Sequence, residues 1–276
     1  MSGPRAVAAA PIRCGIGGWV YPEWRGTFYP PGLARREELG FAAKTLRCIE
    51  INSSFYRAPT AAQCAAWAAQ VPEGFRFSVK APRAFVQRRD LTGMAGDLQA
   101  FCADVAHLDD RLGPILWQFA PGHRADAQAL DTFMAQLPES AGGRRLQHAL
   151  EVRSAQVDRA ALVLAARVRG VALVIEDAPD VELAADISAD FVYARIKRSQ
   201  ARLQAGLPRT HLARWAERAQ AWASGRDLEN LPRHGSTIAP GQPREVYLLC
   251  IGAAKHRNPA MAQTLQHLCD GDGNST

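Results

Sequence analysis

The sequence predicts a single-domain (β/α)8 barrel of the TIM type, and two features of its 276 residues support this. Eight short runs of apolar and β-branched residues recur along the chain, and amphipathic stretches with helical spacing separate them. Strands that alternate with helices build parallel sheets, and eight such units match the usual length of a closed barrel, about 250 residues. A doubly wound open sheet is the alternative, but the first strand lacks the glycine-rich dinucleotide fingerprint of that fold.

The predicted strands follow one another at regular intervals. They are IRCGIG (12–17), RCIEIN (47–52), FRFSVK (75–80), ILWQF (115–119), HALEV (148–152), VALVI (171–175), FVYARIK (191–197) and VYLLCI (246–251). The segment before the fourth strand illustrates the helices, since Leu98, Phe101 and Val105 share one face and Gly113-Pro114 ends the pattern. Residues 176–190 are too few for a full helix with its loops, so we expect a short or missing helix between strands six and seven.

The composition, 47% hydrophobic and 22% charged, is typical of a globular protein. We expect one barrel domain over 12–268, between flexible tails at 1–11 and 269–276. The chain has neither a secretory signal nor a run of about 20 apolar residues, which predicts a cytoplasmic protein with no membrane partner. Its six cysteines form no Cys-x-x-Cys pair, so we expect reduced thiols rather than metal ligands.

The formal net charge of +6 is concentrated in one segment. Residues 195–218 contain seven Lys or Arg and a single acidic residue, Glu217. Such a patch suits phosphate or another anion, and a solvated basic helix face explains it equally well.

Side-chain alternation in the strands predicts a polar ring. In RCIEIN, for example, Ile49 and Ile51 share one face while Glu50 and Asn52 share the other. Because the apolar face of a barrel strand meets the outer helices, the polar face should point to the lumen and its C-terminal rim, where barrel enzymes carry their active sites. The expected ring is Glu50, Asn52, Lys80, Gln118, Glu151, Arg153, Glu176 or Asp177, Arg195 and Lys197. A purely structural set of ion pairs is the alternative, although aliphatic residues fill a lumen at lower cost.

An aromatic loop, CGIGGWVYPEWRGTFYPPG (14–32), follows the first strand. As the first βα loop it should lie over the same rim. Its aromatic residues then either form a wall for a ligand or pack as a hydrophobic plug, with glycine and proline setting the turns.

Seven blocks stand out along the chain: GIGGWVYPEWRGTFYP, IEINSSFYRAP, FRFSVKAPRAF, LGPILWQFAP, EVR, the Asp-x-Pro of EDAP, and DFVYARI. In this order they resemble the signature blocks of the YecE-like family, domain of unknown function 72. The resemblance runs from about Ile12 to Leu268 and implies a TIM-type barrel whose activity is not established. By position it implies roles for the aromatic loop, Glu50, Asn52, Phe55, Tyr56, Lys80, Pro82, Gln118, Glu151, Arg153, Asp177 and Arg195. The chain departs from the family where Ser154 replaces a histidine and KRS (197–199) replaces a His-Gly pair.

The predicted chemistry is acid/base catalysis by Glu50 and Glu151 with Lys80. Two carboxylates with different neighbours acquire different pKa values, and Lys80 is alternatively a Schiff-base nucleophile. Loops after strands seven and eight of barrels often bind phosphate, which predicts an anionic, phosphate-bearing substrate without a required cofactor. The expected substrate-binding residues are Trp19, Tyr21, Trp24, Asn52, Tyr56, Gln118, Arg153, Asp177, Arg195 and Lys197.

Two other functions are compatible with the same residues. One is metal-assisted processing of nucleic acid, with a single Mg²⁺ held by Glu50, Glu151 and Asp177. The other is a protein that binds a ligand or a nucleic-acid strand by stacking and phosphate contacts without turnover. The sequence does not decide whether the protein is an enzyme.

Overall fold

The computed structural model describes residues 8–154, 156–238 and 241–271, so residues 1–7 and 272–276 of the predicted tails lie outside it. Eight strands form the main sheet. They are β1 (Ile12–Gly17), β2 (Cys48–Ile51), β3 (Arg76–Lys80), β4 (Leu112–Phe119), β5 (His148–Val152), β6 (two pieces, Ala172–Leu173 and Ile175–Asp177), β7 (Phe191–Ile196) and β8 (Glu245–Cys250). A short antiparallel hairpin, Ser140–Ala141 with Arg144–Arg145, is separate from this sheet.

The main sheet curls into a nearly closed barrel because its two ends are the two pieces of β6. Ala172–Leu173 pairs with β5 at one end, and Ile175–Asp177 pairs with β7 at the other. Every neighbouring pair of strands is parallel. The predicted α/β barrel is therefore confirmed.

Helices surround the barrel. They are α1 (Glu38–Thr45), α2 (Ala61–Ala68), α3 (Arg83–Val86), α4 (Ala95–Val105), α5 (Ala127–Met134), α6 (Arg159–Arg169), α7 (Arg209–Ala223) and α8 (Asn258–Asp270). Residues 178–190, all of them described, contain no helix, which confirms the short or missing helix between β6 and β7.

Local sequence signals set the ends of several helices. The Asp158 side chain accepts a hydrogen bond from the backbone N–H of Ala161 and so caps the start of α6. Gly170, with φ of 62°, ends the same helix in the left-handed conformation that glycine adopts without strain. Thr60 and Gln63 form a reciprocal capping box at the start of α2.

The barrel has two hydrophobic cores, one on each face of its sheet. Ile49 and Val79 belong to the large core between the strands and the helices. A second, smaller core consists of Cys48, Leu116, Ala149, Ala172, Phe191, Tyr193, Tyr247 and Leu249. These residues lie on the strand faces that also carry Glu50, Glu151 and Arg195, so the small core fills the lumen below the polar ring.

All six cysteines are free and buried, as expected for reduced thiols. Burial raises the pKa of Cys14 and of Cys250 above the ordinary value, which makes these thiols unreactive. Within the described ranges, no helix combines the length and the apolar character that a membrane crossing requires.

Candidate active site at the barrel mouth

Arg195 joins two carboxylates that come from distant strands. Its Nε and Nη2 donate to Oε2 and Oε1 of Glu50 at 3.1 and 2.9 Å, and its Nη1 donates to Oε2 of Glu151. Glu50 is 0% exposed, Glu151 2% and Arg195 5%. Because these residues lie at the C-terminal ends of β2, β5 and β7, the parallel barrel brings them to the same rim.

The Glu50 carboxylate also accepts a hydrogen bond from the lumen side of the polar ring. The hydroxyl of Tyr193 donates to Oε2 of Glu50 at 2.8 Å and lies 2.7 Å from Oγ of Ser78. Burial raises the pKa of Tyr193, so its hydroxyl stays protonated and is a donor. The Glu50 carboxylate therefore accepts three hydrogen bonds and is fixed in position.

Glu151 is surrounded by donors. Besides Arg195, Nε2 of Gln118 donates to its Oε1 at 2.6 Å and Nζ of Lys197 donates to the same oxygen at 3.0 Å. Burial alone raises the pKa of a carboxyl group, but the charges of Arg195 and Lys197 and these hydrogen bonds outweigh it and lower the pKa of Glu151 to about 2. Glu151 is therefore ionised throughout the physiological range.

Glu176 is the third carboxylate in this set of ion pairs. Lys197 donates to Glu176 as well as to Glu151, and Arg153 binds Glu176 through Nε, at 2.8 Å, and Nη2. The groups thus alternate in sign in a continuous series, which we name the ion-pair chain: Glu50, Arg195, Glu151, Lys197, Glu176 and Arg153.

Asp177 lies on the opposite face of β6. The register between β7 and β6 places Glu176 opposite Arg195, whose side chain points into the barrel. Glu176 therefore points inward as well, and its neighbour Asp177 points toward α7. There Oδ2 of Asp177 accepts from Nε2 of His211 and Nε1 of Trp215, each at 3.0 Å, and Arg198 donates to Oδ1. Burial raises the pKa of Asp177, but these hydrogen bonds prevail and lower it to about 2.

The three carboxylates of the alternative magnesium site are consequently not all brought together, since Asp177 faces away from Glu50 and Glu151. In the described part of the chain, no three His, Cys, Asp or Glu side chains are grouped so that they could hold a metal ion. Glu176, which the sequence left as the alternative to Asp177, joins the ion-pair chain.

Lys80, at the end of β3, differs from the other cations of the mouth. Its side chain is half-buried, and its Nζ lies 4.2 Å from the centroid of the Phe55 ring. Among the described residues, no carboxylate oxygen lies within 4.0 Å of this ammonium group, whereas Arg153, Arg195 and Lys197 all have such partners. Burial and the nearby charge of Arg195 lower the pKa of Lys80 from its ordinary value, and they outweigh the charges of Glu50 and Glu151, which raise it.

Most of the aromatic side chains of the loop after β1 pack against other parts of the protein. Trp24 and Tyr29 are each 1% exposed, and Nε1 of Trp24 donates to the carbonyl of Lys255 at 2.8 Å. Trp19 packs edge-to-face on Trp67 of α2, with ring centroids 5.5 Å apart, in the layer between the sheet and the helices. The structure therefore places Trp19 and Trp24 in the packing of the loop rather than in the polar ring.

Tyr21 is the residue of this loop that approaches the ring. It is half-buried, and burial together with the charge of Glu50 raises its pKa, so the hydroxyl is protonated. Nζ of Lys255 lies 5.1 Å from the centroid of the Tyr21 ring, on the side of the mouth formed by the loop after β8. Tyr56, which is 75% exposed, and half-buried Asn52 lie in the loop after β2.

A cavity of about 330 Å³ adjoins the outer end of the ion-pair chain. Glu151, Arg153 and Glu176 line it, together with apolar residues of β5, β6 and α6 and with residues 180–186. Part of this lining comes from the segment 178–190, so the cavity lies on the side of the barrel where the helix between β6 and β7 is missing.

At least four of the seven basic residues in the segment 195–218 are engaged in contacts within the protein. Arg195, Lys197 and Arg198 all bind carboxylates at or beside the mouth, and Arg218 lies over the Trp215 ring at 5.1 Å. Sequence reasoning missed Tyr193 and Ser78 as supports of Glu50. The sequence does contain a signal for them, because the alternation of apolar and polar side chains along β3 and β7 places Ser78 and Tyr193 on the polar face.

The family can be assigned directly. A model of the family described as "Protein of unknown function DUF72" matches residues 13–275 of the chain. The chain belongs to the DUF72 family. This confirms the family resemblance seen in the sequence, and it brings no substrate or reaction with it. No curated protein matches the chain.

Solved DUF72 structures share the fold. A DUF72 family protein of Thermotoga maritima has a TM-score of 0.68 at 19% identity, covering 96% of this chain and 99% of that one. A DUF72 family protein of Enterococcus faecalis has a TM-score of 0.66 at 16% identity, covering 94% of this chain and 96% of that one. At such identities the likeness supports the barrel and says nothing about chemistry.

Proposed function

We propose that this DUF72 protein is an enzyme that binds a small anionic, phosphate-bearing substrate at the C-terminal mouth of its barrel and uses Lys80 as its acid/base group. The observation that carries the proposal is the environment of Lys80, the one lysine or arginine in the described part of the polar ring that pairs with no carboxylate. A half-buried amine with a lowered pKa, next to fixed charges, is typical of a catalytic group.

The charge of the mouth supports an anionic substrate. Formal charges in the ion-pair chain cancel, since it holds three carboxylates and three cations. Lys80 then adds one positive charge. Lys255, exposed above Tyr21, adds a second and makes no ion pair with a described residue. An anion that reaches the mouth therefore meets two cations that form no direct ion pair with any described carboxylate.

The two glutamates predicted as the acid/base pair suit another role better. A general acid or base works best when its pKa lies near the working pH, and Glu151, with a pKa of about 2, does not donate a proton there. We propose that Glu50 and Glu151 instead fix Arg195 and Lys197 in place. The lowered pKa of Lys80 moves it toward the neutral range, which favours Lys80 as the proton-transfer group.

Ligand-dependent thermal stability tests the proposal. We expect inorganic phosphate and short phosphate esters to raise the melting temperature of the wild type, because a ligand that binds only the folded state stabilises it. Lys80→Met and Lys255→Met should each reduce the shift, whereas Lys44→Met, on the exposed side of α1, should retain it.

The absence of any phosphate-dependent shift in the wild type would refute anion binding at the mouth. An equal loss of the shift in Lys44→Met would locate the binding elsewhere. Parallel titration with short oligonucleotides tests the nucleic-acid alternative, which predicts binding that strengthens with the length of the strand.

A further inference from the structure

We propose that Lys80 is a covalent catalyst that forms an imine with its substrate, so the substrate class is a phosphorylated aldehyde or ketone. The inference rests on the proposed function because it concerns the same mouth and the same amine. It adds the chemical group that the substrate must carry, a carbonyl carbon within reach of Nζ.

The distribution of lysine along the chain is the first argument. Only four of the 33 basic residues are lysine, and the other 29 are arginine. Three of the four, Lys80, Lys197 and Lys255, lie at or just after the C-terminal ends of barrel strands, and only Lys44 is elsewhere. Arginine supplies positive charge at nearly every other basic position. A lysine is needed where the side chain must lose its proton, which arginine does not do in proteins.

The surroundings of the three lysines single out Lys80. Lys197 donates to both Glu151 and Glu176, so its Nζ is engaged by two carboxylates. Lys255 is exposed to solvent. Lys80 is half-buried and forms no ion pair with a described carboxylate, and its burial and the charge of Arg195 lower its pKa, which increases the share of neutral amine.

The proposed step balances without any other reagent. The lone pair of the neutral Lys80 amine attacks the carbonyl carbon, so a C–N bond forms and the C=O π bond breaks, and one proton passes from the nitrogen to the oxygen to give a neutral carbinolamine. A second proton, supplied by solvent water, converts the hydroxyl into water as the C–O bond breaks, and the nitrogen lone pair forms the C=N bond of a protonated imine. The protonated hydroxyl of Tyr21 is a donor at the mouth, and the Glu50 and Glu151 carboxylates stabilise the positive charge of the imine.

Reductive trapping tests this step. The wild-type protein is incubated with dihydroxyacetone phosphate or with hydroxyacetone, its uncharged counterpart, in the presence of sodium cyanoborohydride. The reagent reduces an imine to a stable secondary amine, which peptide mass spectrometry locates. Because the chain has only four lysines, each modified position is assigned without ambiguity. We expect Lys80 to be labelled several times faster than Lys44 in the same sample.

Matched variants separate the possible results. Lys80→Arg keeps the charge and should lose the fast labelling, while Lys44→Arg should leave the labelling of Lys80 unchanged. Labelling of wild-type Lys80 at or below the rate of Lys44 with both probes overturns the inference, whatever the variants do.

The two probes also distinguish this inference from the proposed function. If phosphate binds but Lys80 is not labelled faster than Lys44, only the covalent step is refuted. If hydroxyacetone labels Lys80 rapidly but phosphate neither binds nor competes with dihydroxyacetone phosphate, the amine is reactive and the phosphate-bearing substrate is refuted.

Discussion

Arg195 is the residue on which the mouth of the barrel depends. Its guanidinium group faces Glu50 on one side and Glu151 on the other, and all three side chains are almost fully buried. A buried ion pair adds little net stability when intact, but removal of one partner leaves an uncompensated charge in the interior. The planar fork of arginine also matches two carboxylates at once, which the single ammonium of lysine does not.

Substitution of Arg195 should therefore destabilise the whole protein. We expect Arg195→Met to lower the free energy of unfolding by about 3 to 5 kcal/mol, the usual effect of breaking a buried pair. Arg195→Lys should recover only part of this loss. Urea denaturation measures the effect, and Arg202→Lys, at an exposed position, is the control that should change little. A loss below about 1 kcal/mol for Arg195→Met would show that water reaches the pair.

The pKa of Glu151 leads to a prediction about acid stability. Its value of about 2 in the folded protein lies below its ordinary 4.5, so the folded state binds this proton less readily than the unfolded chain. The resulting stability is fully present above pH 4.5 and is lost as the pH falls toward 2. Glu151→Gln should be less stable at neutral pH and should lose less stability on acidification. Unfolding free energies at several pH values measure this, and equal slopes for both proteins would contradict it.

At the level of the strand, the alternation of apolar and polar side chains in the sequence is sufficient to place Glu50, Glu151 and Arg195 on the lumen face. The reason is that β2, β5 and β7 each have a clear apolar face and a clear polar face. The alternation is not sufficient for β6. That strand is predicted to end at residue 175, before either acidic residue, and a shift of one position exchanges the faces. Only the register with β7 decides that Glu176 points inward. The aromatic loop has no periodicity, so the packing of Trp19 and Trp24 was not predictable from spacing.

Substitution of the two adjacent acidic residues of β6, Glu176 and Asp177, should have different effects on stability and on phosphate binding. Asp177→Asn weakens the contacts with His211 and Trp215 of α7 and with Arg198, so we expect a loss of about 1 to 3 kcal/mol in unfolding free energy and a smaller change in phosphate binding, because Asp177 points away from the mouth. Glu176→Gln instead frees Arg153 and Lys197 from a carboxylate and should strengthen phosphate binding. Calorimetric titration and urea denaturation of both variants measure the difference. Similar effects of the two substitutions on phosphate affinity would contradict the assignment of faces.

At the scale of the whole molecule, the barrel separates charges that are buried from charges that meet solvent. The ion-pair chain begins at fully buried Glu50 and ends at Arg153, whose side chain is 23% exposed. The cations proposed to bind substrate, Lys80 and Lys255, lie at the open side of the mouth. The nearly closed sheet is consistent with this order, because it encloses the start of the ion-pair chain, while a cavity adjoins its outer end at Arg153.

This separation predicts two different responses to salt. Dissolved ions screen charges that face water much more than they screen buried pairs. Raising sodium chloride from about 0.05 M to about 1 M, which shortens the screening length several-fold, should therefore weaken phosphate binding strongly and leave the unfolding free energy nearly unchanged. Calorimetry and urea denaturation on the same samples measure both, with Lys44→Met as the control for general surface charge. A steep fall in stability with salt would show that solvent reaches the ion-pair chain, and salt-independent phosphate binding would show that the anion does not bind at the open mouth.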